Sequence, residues 1–210
     1  METATPLSNN LQTILLFCGV VASVLYFVTD RIAGALLKGY SFSANSMDEL
    51  SAAGSPTRSL VLSLTLLACL FMVAFGAGVW PSAGENLFLS VVGWLIIANA
   101  VLGLVAHIFF PNRYGERPPF NSPGVILMFA SVVCFILAMI FSTVAFGGWF
   151  GLFSIAIPIL FVLLAVLRFA TAKASSAGEG RTLIGSQERT MAYSYLLWIL
   201  ALSIYLMPLS

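Results

Sequence analysis

Six apolar runs, each of 18 residues or more, constrain this chain more than any other feature of it. They cover about 11–28, 60–79, 87–110, 125–146, 150–167 and 191–208. A bilayer core is about 30 Å thick and a helix rises 1.5 Å per residue, so roughly 20 mostly apolar residues suffice to cross it. A spanning backbone must satisfy its own polar groups, which leaves helices as the form such runs take. Of 210 residues, 60% are hydrophobic and 8% charged, against roughly 45–50% and 25% in ordinary soluble domains. Mean hydropathy is +1.02. A soluble globule of this size could not hide that much apolar surface. These features exclude a soluble enzyme, a nucleic-acid binder and a disordered tail. The expected fold is all-α: a polytopic membrane protein with a six-transmembrane-helix bundle, one domain over 1–210. No Lys or Arg precedes the first run, so it lacks the basic region of a cleaved signal peptide and is expected to stay as a helix.

Turn chemistry separates the runs: Trp80-Pro81-Ser82-Ala83-Gly84, Pro111-Asn112-Arg113, Pro118-Pro119 and Gly147-Gly148. The glycine pair predicts a tight hairpin between the fourth and fifth spans, and Pro158 predicts a kink in the fifth. The basic residues give the orientation. Arg31, Lys38 and Arg58 border the first loop, Arg113 and Arg117 fall in the third, and Arg168, Lys173, Arg181 and Arg189 border the fifth. The other connections and both tails have none of the nine. The positive-inside rule therefore places the odd loops in the cytoplasm and both termini outside. Trp80 and Trp149 then mark the outer interface, and Tyr40, Tyr114 and Tyr193 the inner one. Gly19-xxx-Ser23, Ala74-xxx-Gly78, Asn99-xxx-Gly103 and Gly147-xxx-Gly151 offer notches for close helix packing. Cys18, Cys69 and Cys134 are far apart and inside apolar runs, so they read as free thiols.

The first loop is the longest. Ser46 with Glu49 three residues on forms a capping box, and Gly54 suits the position after a helix end, which predicts a short interfacial helix over 47–53. Residues 32–37 are apolar too, so the first helix is expected over about 11–37, roughly 40 Å long. Such a helix either tilts strongly or leaves the bilayer with its last turns; in the tilted case Asp30 lies within the inner third of the membrane, where a carboxylate needs a partner. Arg31, Arg168 and Arg189 are the available counter-ions.

Gly39-Tyr40-Ser41, Ser46…Glu49-Leu50-Ser51-Ala52, Gly54-x-Pro56-Thr57-Arg58 and Ala74-Phe75-Gly76-x-Gly78-Val79-Trp80 resemble a bacterial and archaeal membrane family, the domain of unknown function 998. Gly151-Leu152-Phe153-Ser154-Ile155-Ala156, Gly185-Ser186-Gln187-Glu188-Arg189 and Tyr195-Leu196-Leu197-Trp198 continue that resemblance in the same order. It implies about six spans in a prokaryotic cytoplasmic (inner) membrane and no established activity. The chain departs from the family's pattern in carrying Asp48 where Ser precedes the loop-one Glu. It also has no His at 110–113 or 122–124.

The candidate binding cluster lies on the cytoplasmic side: Asp30, Tyr40, Glu49, Arg58, Glu188 and Arg189, with Asp48 beside them. If the first and fifth loops meet, Glu49–Arg189 or Glu188–Arg58 pairs would clasp them. Asn99 and His107, two turns apart on the third span, are the candidate intramembrane polar residues and could border one cavity. His107 is the only histidine, which forbids HExxH, His₃ zinc and bis-His haem sites, so no metal or cofactor is expected. Both lysines sit at loop edges, which excludes retinal, and no GxSxG, GxxxxGK[ST] or GxGxxG pattern occurs. No catalytic residue stands out. The leading functional expectation is a non-enzymatic accessory membrane subunit that binds lipid or a partner. The expected partners are membrane lipids and a larger membrane complex, not nucleic acid. A small-solute transporter or permease and a lipid-headgroup enzyme at the inner leaflet are the alternatives.

Overall fold

A computed structural model describes residues 6–114, 119, 121–175 and 183–207. The helices are α1 (Pro6–Leu36), α2 (Arg58–Ala83), α3 (Leu87–Phe109), α4 (Pro123–Phe146), α5 (Gly148–Ser175) and α6 (Ile184–Leu206). All six are long and apolar enough to cross a membrane, and no strand occurs among the described residues. Arg117, Arg181, Pro118 and Pro208, used above, lie outside the described residues.

Consecutive helices pack side by side from α1 to α5, and α6 closes the bundle by packing on both α1 and α5. α6 is the least apolar span and the most buried. Tyr195, Trp198 and Ser203 are tolerable in the bundle because each finds a partner on another helix. Tyr195 donates to Asn99 Oδ1 at 2.8 Å (α3), Trp198 Nε1 to Ser154 Oγ at 3.0 Å (α5), and Ser203 Oγ to the Leu16 carbonyl at 2.5 Å (α1). Between these bonds, Trp198, Ile199, Leu202 and Leu206 are fully buried.

Small residues set the closest approaches. A Cβ on Gly76 would stand 2.9 Å from the Gly93 carbonyl, and one on Gly93 2.8 Å from the Gly76 carbonyl, so α2 and α3 touch backbone to backbone. Gly19 faces the Phe75 ring and Gly78 the Leu15 backbone, which brings α1 onto α2. These two notches are used for packing as expected. Gly147, by contrast, ends α4 with φ 58, and Gly148 opens α5 with φ 50, a left-handed pair that makes the tight hairpin.

Several boundaries differ from the sequence reading: α1 starts at Pro6 rather than near 11, α5 runs on to Ser175 rather than ending near 167, and three further differences have a local cause. α2 runs through Trp80 and Pro81 to Ala83, because a proline in the last turn removes a single hydrogen bond and Gly84 then stops the helix. α6 starts at Ile184 rather than near 191, since its polar first turns are held by contacts to loop one. The helix expected over 47–53 is only a 3₁₀ turn, Met47–Leu50, capped by Ser51. The Ser46/Glu49 capping box is formed. Leu50, at 2% exposure, packs with Ala33 and Leu37 of the α1 end, so the turn is docked on the protein.

Candidate functional site

At the loop-one end, α1 carries Asp30 into the bundle and α6 brings Arg189 to meet it. Arg189 holds Asp30 with two parallel bonds, NH2 to Oδ1 at 2.9 Å and Nε to Oδ2 at 3.0 Å. Both side chains are withdrawn from solvent, with 6% and 2% exposure for Arg189 and Asp30. A planar guanidinium has five N–H donors, and the rest are occupied here. NH1 donates to the carbonyls of Phe42 at 2.7 Å and of Asn45 and Gly185 at 3.3 Å, and NH2 also donates to Tyr40 OH at 2.6 Å. The Tyr193 hydroxyl donates to Asp30 Oδ2 at 2.5 Å. The Phe42 ring lies under both Arg189 and Arg31, with centroids 5.0 and 3.9 Å away. Burial pushes the Tyr40 phenol up to about 12, with the Arg189 hydrogen bond pulling the other way.

Among the described residues, the adjacent carboxylates take loop-one backbone and polar side chains as donors. Glu188 Oε2 accepts from Ser46 Oγ at 2.6 Å and from the Met47 N–H at 3.0 Å, capping the 3₁₀ turn from α6. Glu49 accepts from the Ser46 N–H and from Asn45 Nδ2. The expected Glu49–Arg189 and Glu188–Arg58 pairs are therefore not the ones formed. A short turn exposes unsatisfied N–H groups, and carboxylates reach them at less entropic cost than they would reach distant cations. Arg58 donates to the Ser51 carbonyl and, at 3.5 Å, to the His107 carbonyl. Loop three joins as well: the Ala53 N–H donates to Asn112 O at 2.7 Å and the Tyr114 N–H to Ala53 O at 3.1 Å.

Thus Asp30, Tyr40 and Arg189 form one knot, Glu49 and Glu188 brace the turn beside it, and Arg58 stands on the far side near His107. Asn99 does not line the cavity beside His107. Asn99 is tied to Ser131 of α4 and Tyr195 of α6 in mid-bundle, with Nδ2 2.8 Å from Ser131 Oγ. His107 instead joins Tyr26, Thr29, Asp30, Asp48 and Thr65 around a cavity of about 40 Å³. Its Nε2 is 3.8 Å from Asp48 Oδ1.

Sequence reasoning placed Tyr193 only at the inner interface and Gly185 only in a motif, and did not name Tyr26 or Thr65. A Cβ on Gly185 would sit 2.6 Å from the Phe42 carbonyl, so loop one lies directly on the first turn of α6. The motif Gly185-Ser186-Gln187-Glu188-Arg189 was the available signal, since it puts a glycine four residues before the arginine.

The family model described as "Protein of unknown function (DUF998)" matches residues 20–205. The chain belongs to that family. No curated protein and no solved structure matches it. The DUF998 match spans α1 through α6, so it takes in the Arg189 knot and the loop that wraps it.

Proposed function

We propose that this DUF998 protein is a non-enzymatic accessory subunit of a prokaryotic inner membrane that binds membrane lipid, with the odd loops inside and both termini outside. The observation that carries the reading is a groove of about 420 Å³ on the outer face of α1, lined by Phe17, Val20, Val21, Val24, Leu25 and Val28. Every lining side chain is apolar and all six lie on α1, so the groove is a shallow, open face along one helix, the kind of surface a lipid chain lies against. From residue 17 to 28 the groove runs roughly 16 Å, about half the hydrocarbon thickness. That is the depth of one leaflet, which suits an acyl chain better than a spanning partner helix. The orientation rests on the nine basic residues and on loops one and three and the start of α6 meeting at one end.

Native mass spectrometry of the full chain in mild detergent tests this reading. The wild type should retain a lipid, and Val24→Trp, which fills the groove, should lower the lipid-bound fraction about tenfold, equivalent to about 1.4 kcal/mol. Equal retention by the variant, or no lipid on the wild type, overturns the lipid-binding part; a stoichiometric protein that co-purifies supports the accessory role.

A further inference from the structure

The cavity between His107 and Asp48 lies at the loop-one end, away from the α1 groove. His107 Nδ1 is 2.8 Å from the Gly103 carbonyl one turn earlier on α3. A carbonyl oxygen only accepts, so Nδ1 carries the ring proton and Nε2 of the neutral ring presents a lone pair. That lone pair faces Asp48 Oδ1, a second acceptor, 3.8 Å away. Two acceptors turned toward each other need a donor between them, either a water or a proton. The cavity of about 40 Å³ is large enough to hold a water, which needs about 10–15 Å³ of such volume. The Tyr26 and Thr65 hydroxyls in its wall have no hydrogen-bond partner among the described residues, and both can bond such a water.

The charged neighbours leave Asp48 to answer His107. From α1, Asp30 is already neutralised by Arg189, and Tyr26 is uncharged. From α2, Arg58 is turned to the Ser51 and His107 carbonyls. From loop three, Asn112 Nδ2 donates to Asp48 Oδ2 at 3.5 Å, and Arg113 bridges Ala53 through its backbone. Residues 123–146 of α4 contain no charged side chain.

We propose that the Asp48–His107 pair is a proton-binding site that couples the 47–50 turn to α3. One proton from solvent adds to Nε2, the imidazole becomes imidazolium, and the bridging water leaves. A charge-assisted N–H···O⁻ bond of about 2.8 Å replaces the 3.8 Å gap. The turn moves about 1 Å toward α3, and the pocket's charge rises from −1 to zero. Glu188 also holds this turn, so α6 feels the shift.

Because His107 is the only histidine, ¹⁵N-histidine NMR of the full chain in nanodiscs reports this site alone. The ring should show Nδ1–H without Nε2–H in alkaline buffer, and should gain Nε2–H on acidification over the range in which the chain stays folded. A double-mutant cycle of Asp48→Asn and His107→Gln, read by thermal melting, supplies the coupling. The interaction should be worth about 2–4 °C at the acid end and vanish at the alkaline end. Three results overturn the proposal: an Nε2–H tautomer in the neutral ring, no proton uptake in that range, or a coupling that does not change with pH. The NMR result stands on the wild type, so it decides even where Asp48→Asn fails to fold.

Discussion

Asp30→Asn tests how the loop-one end is held. Asparagine keeps the size of the side chain and one acceptor oxygen but removes the negative charge that two Arg189 bonds address. The guanidinium then remains in a site where its side chain is 6% exposed, with its NH1 still fixed on three carbonyls. Stranding one partner of a buried pair costs about 3–5 kcal/mol. For a chain of this size about 2–4 °C accompanies each kcal/mol, so melting should fall by roughly 6–20 °C. Removing both charges with Asp30→Leu and Arg189→Met leaves no ion buried, which offsets part of the cost. The double variant still strands the carbonyls of Phe42, Asn45 and Gly185, each worth about 1–3 kcal/mol if unpaired, so it should not reach wild-type stability. The assay is heating in detergent followed by size-exclusion fluorescence. An Asp30→Asn melting point within about 2 °C of wild type, less than 1 kcal/mol, would refute the reasoning.

Other predictions follow from the same geometry. Gly185→Ala should push loop one off α6, because the added methyl meets the Phe42 and Asn45 carbonyls; faster proteolysis within 41–52 would show it. Tyr195→Phe leaves Asn99 Oδ1 without its donor from α6 and should cost about 1–3 kcal/mol, read as a lower melting point. Tyr40 gives a pH signature. Its folded value, about 12, lies above the ordinary 10, so between those values the unfolded chain releases a phenolic proton that the folded chain keeps. Stability should therefore fall as pH rises from about 10 to 12, and Tyr40→Phe should flatten that fall. Orientation is checked by labelling Ser175→Cys in intact cells with an impermeant maleimide. Protection is expected, and labelling from outside would reverse the proposed topology.

The spans were legible because the bilayer imposes one rule on every run of this length, and six helices of spanning length and hydropathy resulted. The ends of α2 and α6 were less legible because local signals there compete with tertiary contacts. Pro81 reads as a break but loses only one bond at a helix end. The polar residues 184–190 read as loop, yet Arg189 and Glu188 find loop one and the helix continues. Asp30 was recognisable as a carboxylate in need of a cation, but three arginines could have answered. The choice of Arg189, 159 positions away, depends on how α6 folds back against α1. The roles of Glu49 and Glu188 were misassigned because sequence shows charges and not the bare N–H groups of a turn that has yet to form. The main-chain pairing of Ala53 with Asn112 left no side-chain signature at all.

The central structural claim is that loop one is built into the bundle by docking on α6. An engineered disulfide measures it most directly. The Ser186 N–H donates to the Ser43 carbonyl at 3.1 Å, which brings the two chains to a separation a disulfide spans, about 4.4–6.8 Å between Cα atoms. In a variant with Cys18, Cys69 and Cys134 replaced by alanine, Ser43→Cys and Ser186→Cys should cross-link almost completely under mild oxidation in native membranes. Two thiols that stay reduced and open to maleimide would show that loop one lies elsewhere.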